Sequence, residues 1–373
     1  MDDPRLEKLA RLVIKYSLAI KPEDTICLQG NSIAEPLIKE LYRAALRAGA
    51  HVDTQIGIGG LREIFLKEAK RQQLTRVSPF NTYRFRHLDA YVSILSSENT
   101  KALSGTDPKR QALAQSAQAK LIRMIFRRVA KGDFRWVAIP WPCQAFAQDA
   151  EMSLTEYADF VYDALCLSDA DPVRTWKRIS RQQKALVDSL DKARRVRIVA
   201  ENTDITLVCK GRKWINCDGR QNLPDGEVYT SPIENSAEGH ISFSYPAVFS
   251  GREFQGVHLF FKKGCITRIE ATRGTDTLKE LLSMDRGASR IGELAFGTNY
   301  RIQRYVKNTL FDEKIGGTIH LALGASLPET GGKNHSALHW DMVCDLRSGG
   351  EIIVDGEVIH RDGRFINKRF PQP

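Results

Sequence analysis

Two histidines and an aspartate in the last third of the chain have the spacing of metal ligands on β-strands. Residues 336–343 read Ser-Ala-Leu-His-Trp-Asp-Met-Val. In a strand, successive side chains point to opposite faces, so His339 and Asp341 share one face while apolar side chains occupy the other. Residues 318–324 repeat this pattern, with His320 facing away from three aliphatic neighbours. Each residue alone would suit an ordinary core or surface position, but together they indicate a metal site.

Two glutamates stand in settings that are unusual for a solvated surface. Glu227 follows the turn sequence Asn-Leu-Pro-Asp-Gly at 222–226 and opens a predicted strand, a position from which it can line a cleft. Glu293 is flanked by Gly292 and by apolar residues rather than by other charges. A buried carboxylate needs a partner to offset the cost of its burial, and a cation supplies one.

Four motifs in order along the chain resemble those of the thermophilic aminopeptidase family, peptidase family M29. They are Asn222-Leu-Pro-Asp-Gly-Glu227, Gly292-Glu-Leu-x-x-Gly-x-Asn299, Gly317-Thr-x-His320-x-Ala-Leu-Gly324 and Gly331-Gly-x-Asn-x-Ser-x-x-His339-x-Asp341. The resemblance implies a cytoplasmic, homodimeric metallo-aminopeptidase that uses two divalent metal ions (Zn²⁺, Co²⁺ or Mn²⁺) on peptides with a free N-terminus. The metal ligands that it implies are Glu227, Glu293, His320, His339 and Asp341. The family has a tyrosine seven residues after the first of these histidines, where this chain has Leu327.

The same set of oxygen and imidazole ligands, without thiolates, suits Zn²⁺, Co²⁺ or Mn²⁺. Two ions that share a bridging carboxylate and a bridging water would activate that water and polarise a scissile carbonyl. The sequence does not identify the bridging ligand or the general base. Glu293 is a predicted catalytic residue as well as a ligand, Glu329 and Glu270 are candidates for the base, and His335 is a candidate substrate-binding residue.

Two regions with different patterns must position these residues. Residues 1–194 alternate helical stripes with short apolar runs, which predicts a Rossmann-like, doubly wound α/β domain with a parallel sheet. Gly57-x-Gly59-Gly60 lacks the continuation of a dinucleotide fingerprint, so no nucleotide cofactor is expected. Residues 195–373 contain short runs separated by Gly and Pro turns, which predicts a mainly antiparallel β domain that carries the metal site.

Composition excludes several classes of protein. With 373 residues, 42% hydrophobic and 27% charged, the chain is neither disordered, collagen-like nor a coiled coil. Its seven cysteines are odd in number and form no C-x-x-C pair, which argues against a disulfide framework and favours a reducing compartment. The N-terminal residues show no apolar signal segment and no run is long enough to span a bilayer, so we expect a soluble cytoplasmic protein without a membrane partner.

Two other functions fit parts of the sequence. A net charge of +10 and a basic helix at 108–131 suggest nucleic-acid binding. Among its charges, however, that helix offers only Phe126 for stacking on bases, so a solvated face is preferred and no nucleic-acid partner is expected. His320, His339 and Asp341 also match the two-histidine, one-carboxylate set of a single-iron ring-cleaving dioxygenase. A family member weakened by Leu327 is a further alternative.

Overall fold

The computed structural model describes residues 3–249, 252–370 and 372, and the chain divides into two units. The first comprises Met1–Thr175 with Gly219–Pro224, and the second comprises Trp176–Asp218 with Asp225–Pro373. None of the helices in the described ranges combines the length and the apolar character that crossing a bilayer requires.

Four parallel strands form the sheet of the first unit, in the order β2-β1-β3-β4. In chain order they are β1 (Thr25–Asn31), β2 (His51–Gly57), β3 (Ala90–Leu95) and β4 (Arg135–Pro140). Three consecutive residues of β1, Ile26 to Leu28, are fully buried, which is typical of a parallel strand covered on both faces. The predicted parallel α/β sheet is therefore confirmed.

Helices precede, connect and follow these strands. They are α1 (Pro4–Leu12), α2 (Glu35–Arg47), α3 (Leu61–Glu68), α4 (Arg71–Leu74), α5 (Pro79–His87), α6 (Pro108–Ala117), α7 (Ala119–Lys131), α8 (Gln144–Asp149), α9 (Leu154–Ala164) and α10 (Pro172–Leu190). The prediction of one continuous helix over 108–131 is wrong. The backbone at Gln118 has ψ −8°, outside the α-helical range, and it separates α6 from α7.

The second unit is built from antiparallel strands, as predicted. The strands are β5 (Arg195–Ala200), β6 (Thr203–Val208), β7 (Ile215–Cys217), β8 (Glu227–Thr230), β9 (Glu238–Ser242), β10 (Ala247–Phe249), β11 (Arg252–Phe254), β12 (His258–Lys262), β13 (Cys265–Glu270), β14 (Ile291–Gly297), β15 (Thr318–Gly324), β16 (His339–Asp345), β17 (Glu351–Val354), β18 (Glu357–Arg361) and β19 (Arg364–Phe365). One sheet has the order β13-β12-β9-β6-β5-β17-β18-β19 and the other has the order β16-β15-β14-β8-β7. Two helices, α11 (Thr275–Leu282) and α12 (Thr309–Asp312), interrupt the strands.

A single hydrophobic core joins the sheets of the second unit to α10. Leu186, Val187 and Leu190 of that helix are buried among strand residues such as Ile198 and Leu207. The division between the units therefore falls at Thr175, ahead of the boundary that the sequence placed after residue 194, because most of α10 packs with the strands that follow it.

Candidate metal centre

One face of the five-stranded sheet carries all five residues predicted as metal ligands. The opposite face lies in the core and contributes Val228, Leu294, Phe296, Ile319, Leu321, Leu323, Trp340 and Met342. The period-two alternation of strands thus separates an apolar face from a polar one on β8, β14, β15 and β16.

Strand register brings the ligands from β14 and β16 to either side of β15, the strand between them. Glu293 on β14 and Asp341 on β16 both pair with Ala322, and His339 pairs with Gly324. Alanine has only a methyl side chain and glycine has none. Space therefore remains over β15 between the side chains of Glu293 on β14 and those of His339 and Asp341 on β16. His339 and Asp341 share one face of β16, as the sequence predicts.

The ligand atoms of these residues lie close together on this sheet face, where Glu227, Glu293 and His320 are buried and His339 is exposed. The measured separations are His320 Nε2 to Glu227 Oε2 3.5 Å, His320 Nε2 to Glu293 Oε1 3.6 Å, His339 Nε2 to Glu293 Oε2 3.3 Å and His339 Nε2 to Asp341 Oδ1 3.7 Å. Glu293 thus contacts both imidazoles. This position between the two histidines makes Glu293 the candidate for a bridging carboxylate.

Two groups of three ligands can be recognised within the cluster, each with ligand atoms within 4.8 Å of one another. One comprises Glu293, His339 and Asp341. The other comprises His320, Glu227 and a residue that the sequence reasoning missed, Glu313. In the sequence, Glu313 stands in the charged run Asp-Glu-Lys at 312–314, which is typical of a solvated turn, so no pattern singled it out.

Backbone contacts bring Glu313 and Lys314 into the centre. The Asn299 backbone N–H donates to Lys314 O at 3.0 Å, and the Gly316 N–H donates to Asn299 O at 3.0 Å. Gly297 at the end of β14 permits this approach, because a Cβ there would lie 2.2 Å from Ile315 O. The loop that precedes β15 is thereby held against the end of β14, the strand that carries Glu293.

A third group consists of Cys217, Asp225 and Glu227. Burial raises the pKa of the Cys217 thiol well above its usual range, and the carboxylates of Asp225 and Glu227 raise it further. Because the thiolate rather than the thiol binds metals, Cys217 would have to lose this proton before it could act as a ligand. The oxygen and imidazole groups remain the better donors.

The electrostatics of the protein without metal show why a cation suits the cluster. Burial works against charge on both histidines, but the hydrogen bonds and charges of the carboxylates raise the pKa of His320 to about 9 and of His339 to about 10. Burial raises the pKa of Glu293, but the two imidazoles overcome this and lower it to about 2. Binding of a metal ion must therefore release protons from the histidines.

Two buried carboxylate oxygens that face the imidazoles, Glu227 Oε2 and Asp341 Oδ1, have no hydrogen-bond partner within the described part of the chain. His320 Nδ1 has none either, but it is not the ring nitrogen that faces the carboxylates, which is Nε2. Buried polar atoms are rarely left unpaired, so each of these atoms indicates a missing partner. His339 has the orientation typical of a metal ligand, since its Nδ1 lies 2.9 Å from Ala325 O and leaves Nε2 facing the carboxylates. The residues present fit a divalent metal.

The three candidates for the base and for substrate binding lie outside the ligand groups. Glu329 is exposed in the loop between β15 and β16, and its Oε1 accepts a hydrogen bond of 2.8 Å from Tyr229 Oη. His335 is exposed in the same loop. Glu270 is half-exposed on β13, at the edge of the other sheet, where it pairs with His258 at 3.6 Å. The structure thus favours Glu329 over Glu270 as a residue close to the cluster.

Tyr229 is a second residue that the sequence reasoning did not single out. It lies two positions after Glu227 on β8, so both side chains are on the ligand face. Burial raises its pKa, and the neighbouring Cys217 and Glu329 raise it further, so the phenol remains a hydrogen-bond donor. Leu327 is half-buried, and its backbone N–H donates to Ser231 Oγ at 3.1 Å.

The chain is similar to known proteins over almost its whole length. The family model described as thermophilic metalloprotease (M29) matches residues 2–365. Aminopeptidase 2 of Geobacillus stearothermophilus is 26% identical, with 97% of this chain and 98% of that protein covered. Wild-type AmpT from Thermus thermophilus has the same fold, with a TM-score of 0.83 at 24% identity over 97% of this chain and 99% of that one. A 2,5-dihydroxypyridine dioxygenase from Pseudomonas putida KT2440 shares the fold at a TM-score of 0.61 and 13% identity, with 98% of both chains covered.

Proposed function

The chain belongs to the thermophilic metalloprotease family M29 and is thus a hydrolase of peptide bonds, and from that membership we propose that it is a metal-dependent aminopeptidase. The observation that carries the proposal is the largely buried cluster of carboxylates and imidazoles, in which Glu227 Oε2 and Asp341 Oδ1 have no hydrogen-bond partner among the described residues. The aminopeptidase activity named for its relative supplies the substrate class, peptides with a free N-terminus.

Two ions are proposed because the cluster contains two ligand groups with Glu293 between their histidines. Glu227, Glu313 and His320 would hold one ion, and Glu293, His339 and Asp341 the other. Zn²⁺, Co²⁺ and Mn²⁺ all suit these donors. When bound, such ions would activate a water molecule, polarise the scissile carbonyl and hold the free α-amine.

The remaining residues act on the substrate and on protons. Tyr229 Oη donates its single O–H to Glu329 in this structure, and it is the proposed donor to the oxygen of the scissile carbonyl once Glu329 has taken the proton of the attacking water, in the role that the family tyrosine would have at position 327. The Glu329 carboxylate, which already accepts from Tyr229, is the proposed base for the attacking water. His335 stays a prediction for substrate binding and is supported by its place in the same loop as Glu329.

The dioxygenase alternative is not favoured. A single iron held by His320, His339 and Asp341 would leave three further carboxylates of the cluster, Glu227, Glu293 and Glu313, without a role. The likeness to the dioxygenase structure is one of fold, while the family model is that of a metalloprotease.

A cytoplasmic homodimer is proposed from the family resemblance, and light scattering would test it against the chain mass of 42.0 kDa.

The proposed activity is tested with matched peptides that have a free or an acetylated N-terminus. Protein loaded with zinc, cobalt or manganese should release the first residue of the free dipeptide or aminoacyl-nitroanilide, and should leave the acetylated substrate intact. Equal cleavage of both forms would show an endopeptidase or amidase instead. Absence of cleavage with all three metals would contradict the proposal.

Replacing Tyr229 by phenylalanine should lower kcat by about 10²–10³, the usual loss when one donor to a developing oxyanion is removed. Leu327→Tyr should have little effect, because the donor is already supplied from β8. Both variants should keep the metal content of the parent protein. Tyr42→Phe, at an exposed position of α2, is the matched control and should leave kcat unchanged. A rise in kcat and kcat/KM for Leu327→Tyr, together with no loss for Tyr229→Phe, would show instead that position 327 is a catalytic gap.

A further inference from the structure

Lys314 places a positive charge inside the candidate metal centre. Its side chain is only 1% exposed, and its Nζ lies 3.0 Å from Glu227 Oε1 and 2.7 Å from Glu313 Oε2. Lysine is almost never fully buried unless it is paired with an opposite charge. Here both partners are proposed metal ligands, which distinguishes this lysine from an ordinary structural ion pair.

The ammonium group contacts only one of the two ligand groups. Its two carboxylate partners are members of the group completed by His320. In the group of Glu293, His339 and Asp341, by contrast, no ion pair within the described residues joins a carboxylate to a lysine or an arginine. The two positions therefore differ in the charge that an incoming divalent ion would meet.

The position of Lys314 is held by the fold. Its backbone O accepts from the Asn299 N–H, and its own N–H donates to Phe311 O at 2.9 Å. Both polar groups of the Lys314 backbone are therefore hydrogen-bonded. The ammonium group of Lys314 contacts Oε1 of Glu227, and Oε2 of the same carboxylate has no hydrogen-bond partner among the described residues. An ion bound through that oxygen would share the carboxylate with the ammonium group and would be repelled by it at short range.

We propose that Lys314 is a tethered cation that makes the two metal positions unequal. The ion held by Glu293, His339 and Asp341 binds tightly. The ion held by Glu227, Glu313 and His320 binds weakly, because it must share its carboxylates with an ammonium group or displace it. This inference rests on the proposed two-ion function and adds a form of regulation to it. The protein would be half-loaded at low concentrations of free divalent ion, and the second ion would be gained or lost as that concentration changes.

Calorimetric titration of chelator-treated protein with Zn²⁺ or Mn²⁺ at fixed pH tests the proposal. The unmodified protein should show two sites whose Kd values differ by about a hundredfold or more, and Lys314→Met should tighten the weaker site by about tenfold or more, because it removes the repelling charge at similar length. Lys314→Arg should keep the two sites unequal. Lys262→Met, at the exposed end of β12, should change neither Kd.

Two tight sites of equal Kd in the unmodified protein would overturn the proposal. This outcome can be observed without any substituted protein. A weaker second site in a folded Lys314→Met protein would also overturn it, because the lysine would then support the ligands rather than compete with the ion. Peptide hydrolysis measured along the same titration separates this inference from the proposed function. Unequal sites without cleavage at any occupancy would contradict the function alone, whereas equal sites with cleavage would contradict only the role of Lys314.

Discussion

Replacing His339 by alanine is expected to release the metal ion held with Glu293 and Asp341. Nε2 of His339 lies 3.3 Å and 3.7 Å from the oxygens of those residues, so its loss leaves the group with two carboxylates. Peptide hydrolysis should fall by more than about 100-fold, the upper end of the loss seen when only an outer partner of a ligand is removed. Metal content after desalting and kcat/KM on a dipeptide are the measurements.

The matched control for this variant is His51→Ala. His51 is 65% exposed on β2 of the first unit and pairs with Glu23. Metal content and activity of this control should equal those of the parent protein. If His339→Ala retains its full metal content, with activity within about twofold of the parent, His339 is not a ligand and the proposed centre is wrong.

Replacing Glu293 by glutamine should have the largest effect, because Glu293 contacts the histidines of both ligand groups. At saturating metal, this variant should lose both ions, whereas Glu313→Gln should lose only the ion of its own group. The number of metal ions bound per chain, measured for the two variants in parallel, tests this difference. Equal metal content in Glu293→Gln and Glu313→Gln would contradict a bridging role for Glu293.

The same substitution should destabilise the protein in the absence of metal. Removing one partner of a buried ion pair costs about 3–5 kcal/mol of unfolding free energy. The pKa of His320 is raised to about 9 and that of His339 to about 10. Their stabilisation is thus fully present below the unfolded pKa of about 6.5 and is lost as pH rises through 9 and 10. Denaturant unfolding with chelator should show this loss in the parent protein and a much smaller one in Glu293→Gln.

Local periodicity explains why the sequence alone led to His320, His339 and Asp341. Side-chain direction in a strand alternates with every residue, so a polar residue between apolar neighbours predicts its own face without knowledge of the rest of the fold. Glu227 and Glu293 were found from other local signals, a turn sequence and an apolar setting. The character of the two regions, a parallel α/β sheet and antiparallel strands, also followed from patterns of neighbouring residues.

Only the tertiary structure decided which distant segments meet. The strand order β16-β15-β14-β8 places Glu293 between two histidines, and such an order depends on pairings across tens of residues that no local pattern encodes. Glu313 and Lys314 show the limit most clearly, because a charged triplet before two glycines looks like a solvated turn. Their burial depends on Gly297 and Asn299, which hold that loop against the site. The same charges would face water if the loop were free, so their role depends on packing rather than on residue type.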